Sequence, residues 1–130
     1  MSKRYNYVGL NNLLGKTMTS VVNVDNQELV FTTTEGQVFK LYHEQDCCES
    51  VEIESIVGDL ADLVGEPMLM AEESTSQHHP EDHKPSQYDE SFTWTFYKFA
   101  TRKGYVDVRW FGQSNGYYSE SVTFAEVKDE

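Results

Sequence analysis

Hydrophobic and polar positions alternate along three stretches near the start of the chain, which is typical of β-strands. KTMTSVVNV, QELVFTTT and QVFKLYH are rich in β-branched and aromatic residues. Asp25-Asn26 and Glu35-Gly36 separate these stretches and have the composition of turns. The pattern therefore predicts an N-terminal β-meander over residues 16–43.

The pattern changes in the middle of the chain. Val51 and Ile53 alternate with glutamates, which allows a short strand. Beyond them, one apolar stripe has the spacing of a helix, at Ile56, Leu60, Leu63 and Val64. Gly65 and Pro67 then supply a helix stop. We therefore expect a short central helix over residues 55–64.

The C-terminal part contains the clearest alternation. Residues 74–90 have no apolar period and predict a polar loop. After them come SFTWTFYKFAT, YVDVRWF and YYSESVTFAEV, with an Asn-Gly turn before the last, and they predict a C-terminal β-meander over residues 91–127. The expected fold class is α+β: a single domain over residues 1–130, mainly antiparallel sheet, with one short central helix.

The net charge of the chain and its distribution exclude some classes of function. The net charge is −12, and residues 41–83 contain twelve acidic residues and no Lys or Arg. Such a surface repels phosphates, so we expect no direct nucleic acid binding. No apolar run approaches the roughly 20 residues of a membrane span, and the N-terminus lacks a secretory signal. The sequence therefore predicts a cytoplasmic protein with reduced thiols and no membrane association.

Two clusters contain residue types that bind metal ions or act as nucleophiles and bases in enzymes. In YHEQDCCES, His43 accompanies Cys47 and Cys48, but the surrounding acids disfavour a thiolate, and adjacent cysteines do not have the spacing of a closed zinc site. A second cluster lies in the polar loop, at His78, His79, Glu81, Asp82 and His83. We predict no metal, no cofactor and no catalytic residue, and expect at least one of the two cysteines to act as a small buried apolar side chain.

Aromatic residues and cations are interleaved in the C-terminal meander. Aromatic faces stack on planar rings, and arginine pairs with phosphate. This composition predicts a ligand-binding site formed by Trp94, Tyr97, Arg102, Lys103, Arg109, Tyr117 and Tyr118.

Residues 37–124, and above all the strings D-C-C-E and S-N-G-Y-Y-S-E, resemble a family of small, functionally uncharacterised proteins of tailed phages and prophages. The resemblance implies a phage-encoded protein that acts in the cytoplasm of the host cell. It implies no activity.

Four functions remain open. The leading hypothesis is a non-enzymatic counter-defence protein that sequesters a nucleotide immune signal, with a homo-oligomer enclosing the ligand between subunits. Alternatively, the acidic segment 44–73 blocks a basic surface of a host defence nuclease or another nucleic-acid-binding protein. The third is a metal-dependent hydrolase that uses His78, His79 and His83. The fourth is a component of the virion or of its assembly.

Overall fold

The computed structural model describes residues 3–45, 49–76, 91–114 and 119–129. These residues form nine strands: β1 Lys3–Tyr7, β2 Met18–Val24, β3 Glu28–Thr33, β4 Val38–Tyr42, β5 Ser50–Val57, β6 Met70–Ser76, β7 Ser91–Thr101, β8 Gly104–Ser114 and β9 Thr123–Asp129. Two single 3₁₀ turns, Leu10–Leu13 and Leu60–Leu63, complete the described elements. None of these described elements is a helix with the length and hydropathy of a membrane span.

The strands form two antiparallel sheets that pack face to face. The first has five strands in the order β1-β9-β4-β3-β2, and the second has four in the order β5-β8-β7-β6. Alternate residues of each sheet point into the space between them, so a period of two in the sequence becomes one buried face and one exposed face.

Large side chains from both sheets fill the core. Phe31 of β3 and Phe99 of β7 meet across the two layers, with ring centroids 5.2 Å apart. Phe39 stacks on Phe124 at 5.5 Å, which fixes β4 beside β9. Trp110 of β8 is fully buried. Burial of each such ring contributes about 2–3 kcal/mol, so these residues determine which face of each strand is internal.

The α+β prediction is wrong, because no α-helix is present among the described residues. Residues 55–64 are divided between the end of β5 and the 3₁₀ turn Leu60–Leu63. Ile56 pairs with Val108 as part of the sheet, and Gly58, at φ 108°, ends the strand. Asp59 then caps the turn by accepting a hydrogen bond from the Ala61 N–H at 2.9 Å. Pairing with β8 outweighs the helical spacing of four apolar residues.

The predicted C-terminal meander is also wrong, because its third strand leaves the sheet. β7 and β8 form a hairpin in the four-stranded sheet, whereas β9 crosses to the other sheet and lies between β1 and β4. The predicted polar loop is shorter than expected at its start, since β6 extends to Ser76. Its remaining residues, 77–90, lie outside the described part of the chain.

Gly112 provides a test of the packing between the four-stranded sheet and the segment that leads to β9. A Cβ added there would lie 2.9 Å from Glu120 Cβ and 3.0 Å from the Glu120 carbonyl oxygen. We expect Gly112→Ala to lower the free energy of unfolding by about 1–3 kcal/mol, because backbone must move to admit the methyl group. Urea denaturation measures the loss.

Gly9→Ala is the matched control. Its added Cβ would meet the end of one flexible side chain, Asn11, at 2.5 Å. That side chain can rotate away, so we expect little change in stability. Equal losses in the two variants would contradict the packing described at Gly112.

Candidate functional site

The solvent-facing side of the four-stranded sheet, called here the outer face, brings together only part of the predicted site. Trp94 and Arg109 lie there on neighbouring strands. Tyr97 points to the core, and Arg102 and Lys103 lie in the turn between β7 and β8. Tyr117 and Tyr118 lie outside the described residues, as do Cys47, Cys48 and the loop histidines 78, 79 and 83.

The strand register arranges the outer face in rows. Cross-strand partners share a face, so one row contains Glu52, Phe111 and Trp94, and the next contains Ser55, Arg109, Phe96 and Ser74. A third row contains Val57, Asp107, Lys98 and Glu72. Three aromatic rings therefore lie close together on this face, with charged side chains beside them.

Arg109 is the best-defined side chain of this surface. Its guanidinium carbon lies 5.1 Å from the centroid of the Trp94 ring. Its Nε donates to Glu54 Oε2 at 2.6 Å, and a terminal nitrogen lies 2.5 Å from the same oxygen. The Arg109 and Glu54 side chains are 45% and 41% exposed, and such an exposed pair contributes about 0–1 kcal/mol. Glu54 is therefore a partner that a ligand can displace.

A shallow groove of about 480 Å³ runs beside these residues. Its lining includes Phe96, Lys98, Asp107, Arg109 and Glu72. Phe96 is 37% exposed, so an aromatic surface is available to a ligand. Pocket volumes of roughly 300–1,000 Å³ are common for small-molecule sites, and the groove falls within that range.

The described residues of the outer face carry more negative than positive charge. The two cations among them are Lys98 and Arg109. The four carboxylates among them are Glu52, Glu54, Glu72 and Asp107. Because Glu54 already neutralises Arg109, the remaining acids outnumber the remaining cation, and the field around the aromatic rings favours a positively charged ligand.

Lys103 has a structural role away from the outer face. Its Nζ donates to the carbonyl oxygens of Val64, at 2.8 Å, and Ala61, at 3.3 Å, and so closes the 3₁₀ turn. Arg102, the exposed residue before Lys103, lies six residues along the chain from Phe96. Phe96 is the cross-strand partner of Arg109. At about 3.3 Å per residue this separation is roughly 20 Å, so the structure does not join either residue to Trp94.

Two buried glutamates, Glu49 and Glu120, anchor the ends of the two distinctive strings. Glu49 ends D-C-C-E, and its side chain is fully buried 2.7 Å from His43 Nε2. Glu120 ends S-N-G-Y-Y-S-E and accepts hydrogen bonds from Thr93, at 2.7 Å, and Ser114, at 2.5 Å. Acidic residues are so frequent in this chain that residue type alone does not mark these two as important. Their burial distinguishes them from the exposed acidic residues.

His43 links the two anchored segments. Its Nδ1 donates to the Ser121 carbonyl oxygen at 2.7 Å, while Nε2 and Glu49 share the second proton. Both ring nitrogens are therefore engaged, whichever group of the pair carries the shared proton. This arrangement leaves His43 with no free lone pair to activate a thiol or bind a metal ion.

Among the described residues, no three His, Cys, Asp or Glu side chains are arranged to hold a metal ion. The histidines proposed for a hydrolase lie outside these residues.

Tyr97 gives a test of which aromatic side chains are available for binding. It is 2% exposed, and its hydroxyl lies near the Glu73 carboxylate but makes no hydrogen bond of standard geometry within the described chain. Burial raises the pKa of Tyr97, and the nearby Glu73 carboxylate raises it further. We expect Tyr97→Phe to leave stability unchanged or raise it by up to about 1 kcal/mol, because it removes an unsatisfied buried hydroxyl.

The same substitution changes the response to alkaline pH. In the native protein, stability is lost as pH rises above the ordinary phenol value of 10.0, because the unfolded state ionises Tyr97 first. Tyr97→Phe should reduce this alkaline loss in urea titrations at increasing pH. A large loss of stability near neutral pH would instead show that the hydroxyl has a partner.

A family model described as a domain of unknown function, DUF7448, matches residues 11–124. The search of curated proteins and the search of solved structures gave no significant match.

Proposed function

Since the chain belongs to the DUF7448 family, whose function is unknown, we propose from the outer face that it is a non-enzymatic protein that binds a basic segment of another protein. The observation that supports this proposal is the excess of carboxylates around exposed aromatic rings. Lysine and arginine side chains are attracted to both groups.

Arg109 supports this interpretation by its own contacts. It lies over the Trp94 ring and pairs with Glu54, so one cation of the chain already occupies an aromatic and acidic setting. Phe96, Glu72 and Asp107 line the adjacent groove, where Lys98 is the cross-strand neighbour of both carboxylates. A ligand cation placed there would gain about 0.5–2 kcal/mol from the ring, and more from the carboxylates as water is excluded.

The resemblance to tailed-phage proteins supports a host target. Host defence nucleases and other nucleic-acid-binding proteins need basic surfaces to hold phosphates. A protein with a net charge of −12 approaches such a surface quickly at low salt, and a small aromatic site would hold it there. We therefore propose that the protein covers the basic surface of such a host defence protein in the host cytoplasm.

Binding of a fluorescent alternating Arg-Gly peptide, followed by anisotropy, tests the site. We expect Phe96→Ala to weaken binding roughly 3- to 10-fold, because it removes the exposed ring of the groove. Tyr7→Ala, which removes a 67% exposed aromatic from the other sheet, should leave binding unchanged.

A second comparison distinguishes binding at a local site from attraction of the peptide to the net charge of the whole protein. Glu72→Gln with Asp107→Asn neutralises two carboxylates of the outer face, and Asp25→Asn with Glu35→Gln neutralises two in turns of the other sheet. The net charge changes equally, so only a local site predicts a larger loss in the first pair. Equal losses, or no binding at near-physiological salt, would contradict the proposal.

Sequestration of a nucleotide signal is the second candidate, and the Trp94–Arg109 contact favours it. A base stacked on Trp94 would place a phosphate near Arg109, where it must displace Glu54. We therefore expect Glu54→Gln to strengthen nucleotide binding, because it releases the guanidinium.

Thermal shift with cyclic and ADP-ribose-type nucleotides measures this effect, and Trp94→Ala in the Glu54→Gln background is the control. Stabilisation of Glu54→Gln that disappears with Trp94→Ala would favour the nucleotide. No stabilisation of either the native protein or Glu54→Gln would eliminate it.

A further inference from the structure

The two sheets formed by the described residues have four edge strands: β1 and β2 in the five-stranded sheet, and β5 and β6 in the four-stranded sheet. An edge strand exposes N–H and C=O groups that another chain can pair with. Proteins prevent such pairing with bulges, covering segments or charged side chains. The four edges differ in which of these protections they carry.

β2 is protected by both a bulge and a covering segment. Its register with β3 shifts between Met18 and Ser20. Residues that precede β6 cover its first positions, through bridges of Met18 with Val64 and of Thr17 with Pro67. The Gly65 N–H also donates to the Met18 carbonyl oxygen at 2.9 Å.

β5 is protected in the same two ways. Its register with β8 shifts between Ile53 and Ser55. The Ile53 N–H, at this bulge, donates to the carbonyl oxygen of Asn26 at 2.7 Å, so the turn between β2 and β3 lies against the strand. Regular addition of a further strand to β5 is blocked at its centre.

β6 has no bulge within the described part of the chain. The 3₁₀ turn Leu10–Leu13 lies against it, and the Met68 N–H just before it donates to the Lys16 carbonyl oxygen. Its seven residues pair with β7 in continuous register, from Met70 opposite Ala100 to Ser76 opposite Trp94. Its exposed positions include Glu72 and Glu73, and no Lys, Arg or Pro interrupts it. This edge is regular and acidic.

β1 is the other regular edge, and its charge is opposite. It pairs with β9 over five residues without a shift, from Lys3 to Tyr7. Lys3 and Arg4 are exposed. Like charges oppose pairing of β1 with β1 and of β6 with β6, whereas unlike charges favour pairing of β1 with β6.

We propose that β1 of one copy of this chain pairs with β6 of another copy. The contact joins two different surfaces, so it repeats head to tail and closes into a ring where the geometry permits. Glu72 and Glu73 also line the outer groove. The added strand therefore forms a wall along the open side of that groove.

Sedimentation velocity over a range of protein concentrations tests the pairing. The native protein should associate at low salt and dissociate as salt is raised. K3E/R4E should remain monomeric, and so should E72K/E73K. The fourfold variant K3E/R4E/E72K/E73K should associate again, because it exchanges the charges of the two edges and leaves the net charge unchanged.

E35K/E66K is the matched control, since it changes the net charge as much as E72K/E73K but leaves both regular edges and the outer face intact. It should associate like the native protein. Circular dichroism checks folding, and E72Q/E73Q, expected to weaken association, replaces E72K/E73K if that variant misfolds.

A native protein that is monomeric at every concentration would overturn the pairing. Association that survives both charge reversals, or that fails to return in the fourfold variant while it folds, would also overturn it. The Phe96→Ala arm of the Arg-Gly peptide assay is independent of the pairing, because Phe96 lies in β7, outside both edges, whereas Glu72 of the other arm belongs to β6. Failure of the Phe96→Ala arm would reject the proposed function and leave the pairing intact.

Discussion

The pairing of β7 with β8 in one unbroken register is the constraint on which the rest of the structure depends. Ser91 lies opposite Ser114 and Thr101 opposite Gly104, with every pair between them in order. This register sends Trp110 to the core and Arg109 to the outer face. A slip of one residue would bury the cation and expose the indole, so burial of the core also fixes the geometry of the outer face.

Alternation in the sequence is sufficient to sort side chains into two faces, but it does not identify which face is internal. β7 has aromatic residues on both sides, with Trp94 and Phe96 outside and Tyr97 and Phe99 inside. Composition therefore made Tyr97 as good a candidate as Trp94. The choice depends on the packing of Phe99 against Phe31 of the other sheet, which no local pattern contains.

Long-range pairing explains the remaining errors. The helical spacing of Ile56 and Leu60 was real, but β8 offered Ile56 a partner strand, and Gly58 limits the next segment to a single 3₁₀ turn. Likewise, the sequence of β9 predicts a strand but not the sheet that receives it. Sheet assignment depends on contacts such as Phe124 with Phe39, between residues far apart in the chain.

The position of β9 also has a consequence for synthesis of the protein. β9 lies between β1 and β4, so residues 3–7 have no strand partner until residues 123–129 leave the ribosome. Until then β4 is an open edge beside β3, and one side of Phe39 lacks its stacking partner. The nascent chain thus carries two unpaired strands while residues 43–122 are synthesised, and this risk of aggregation ends only when β9 arrives.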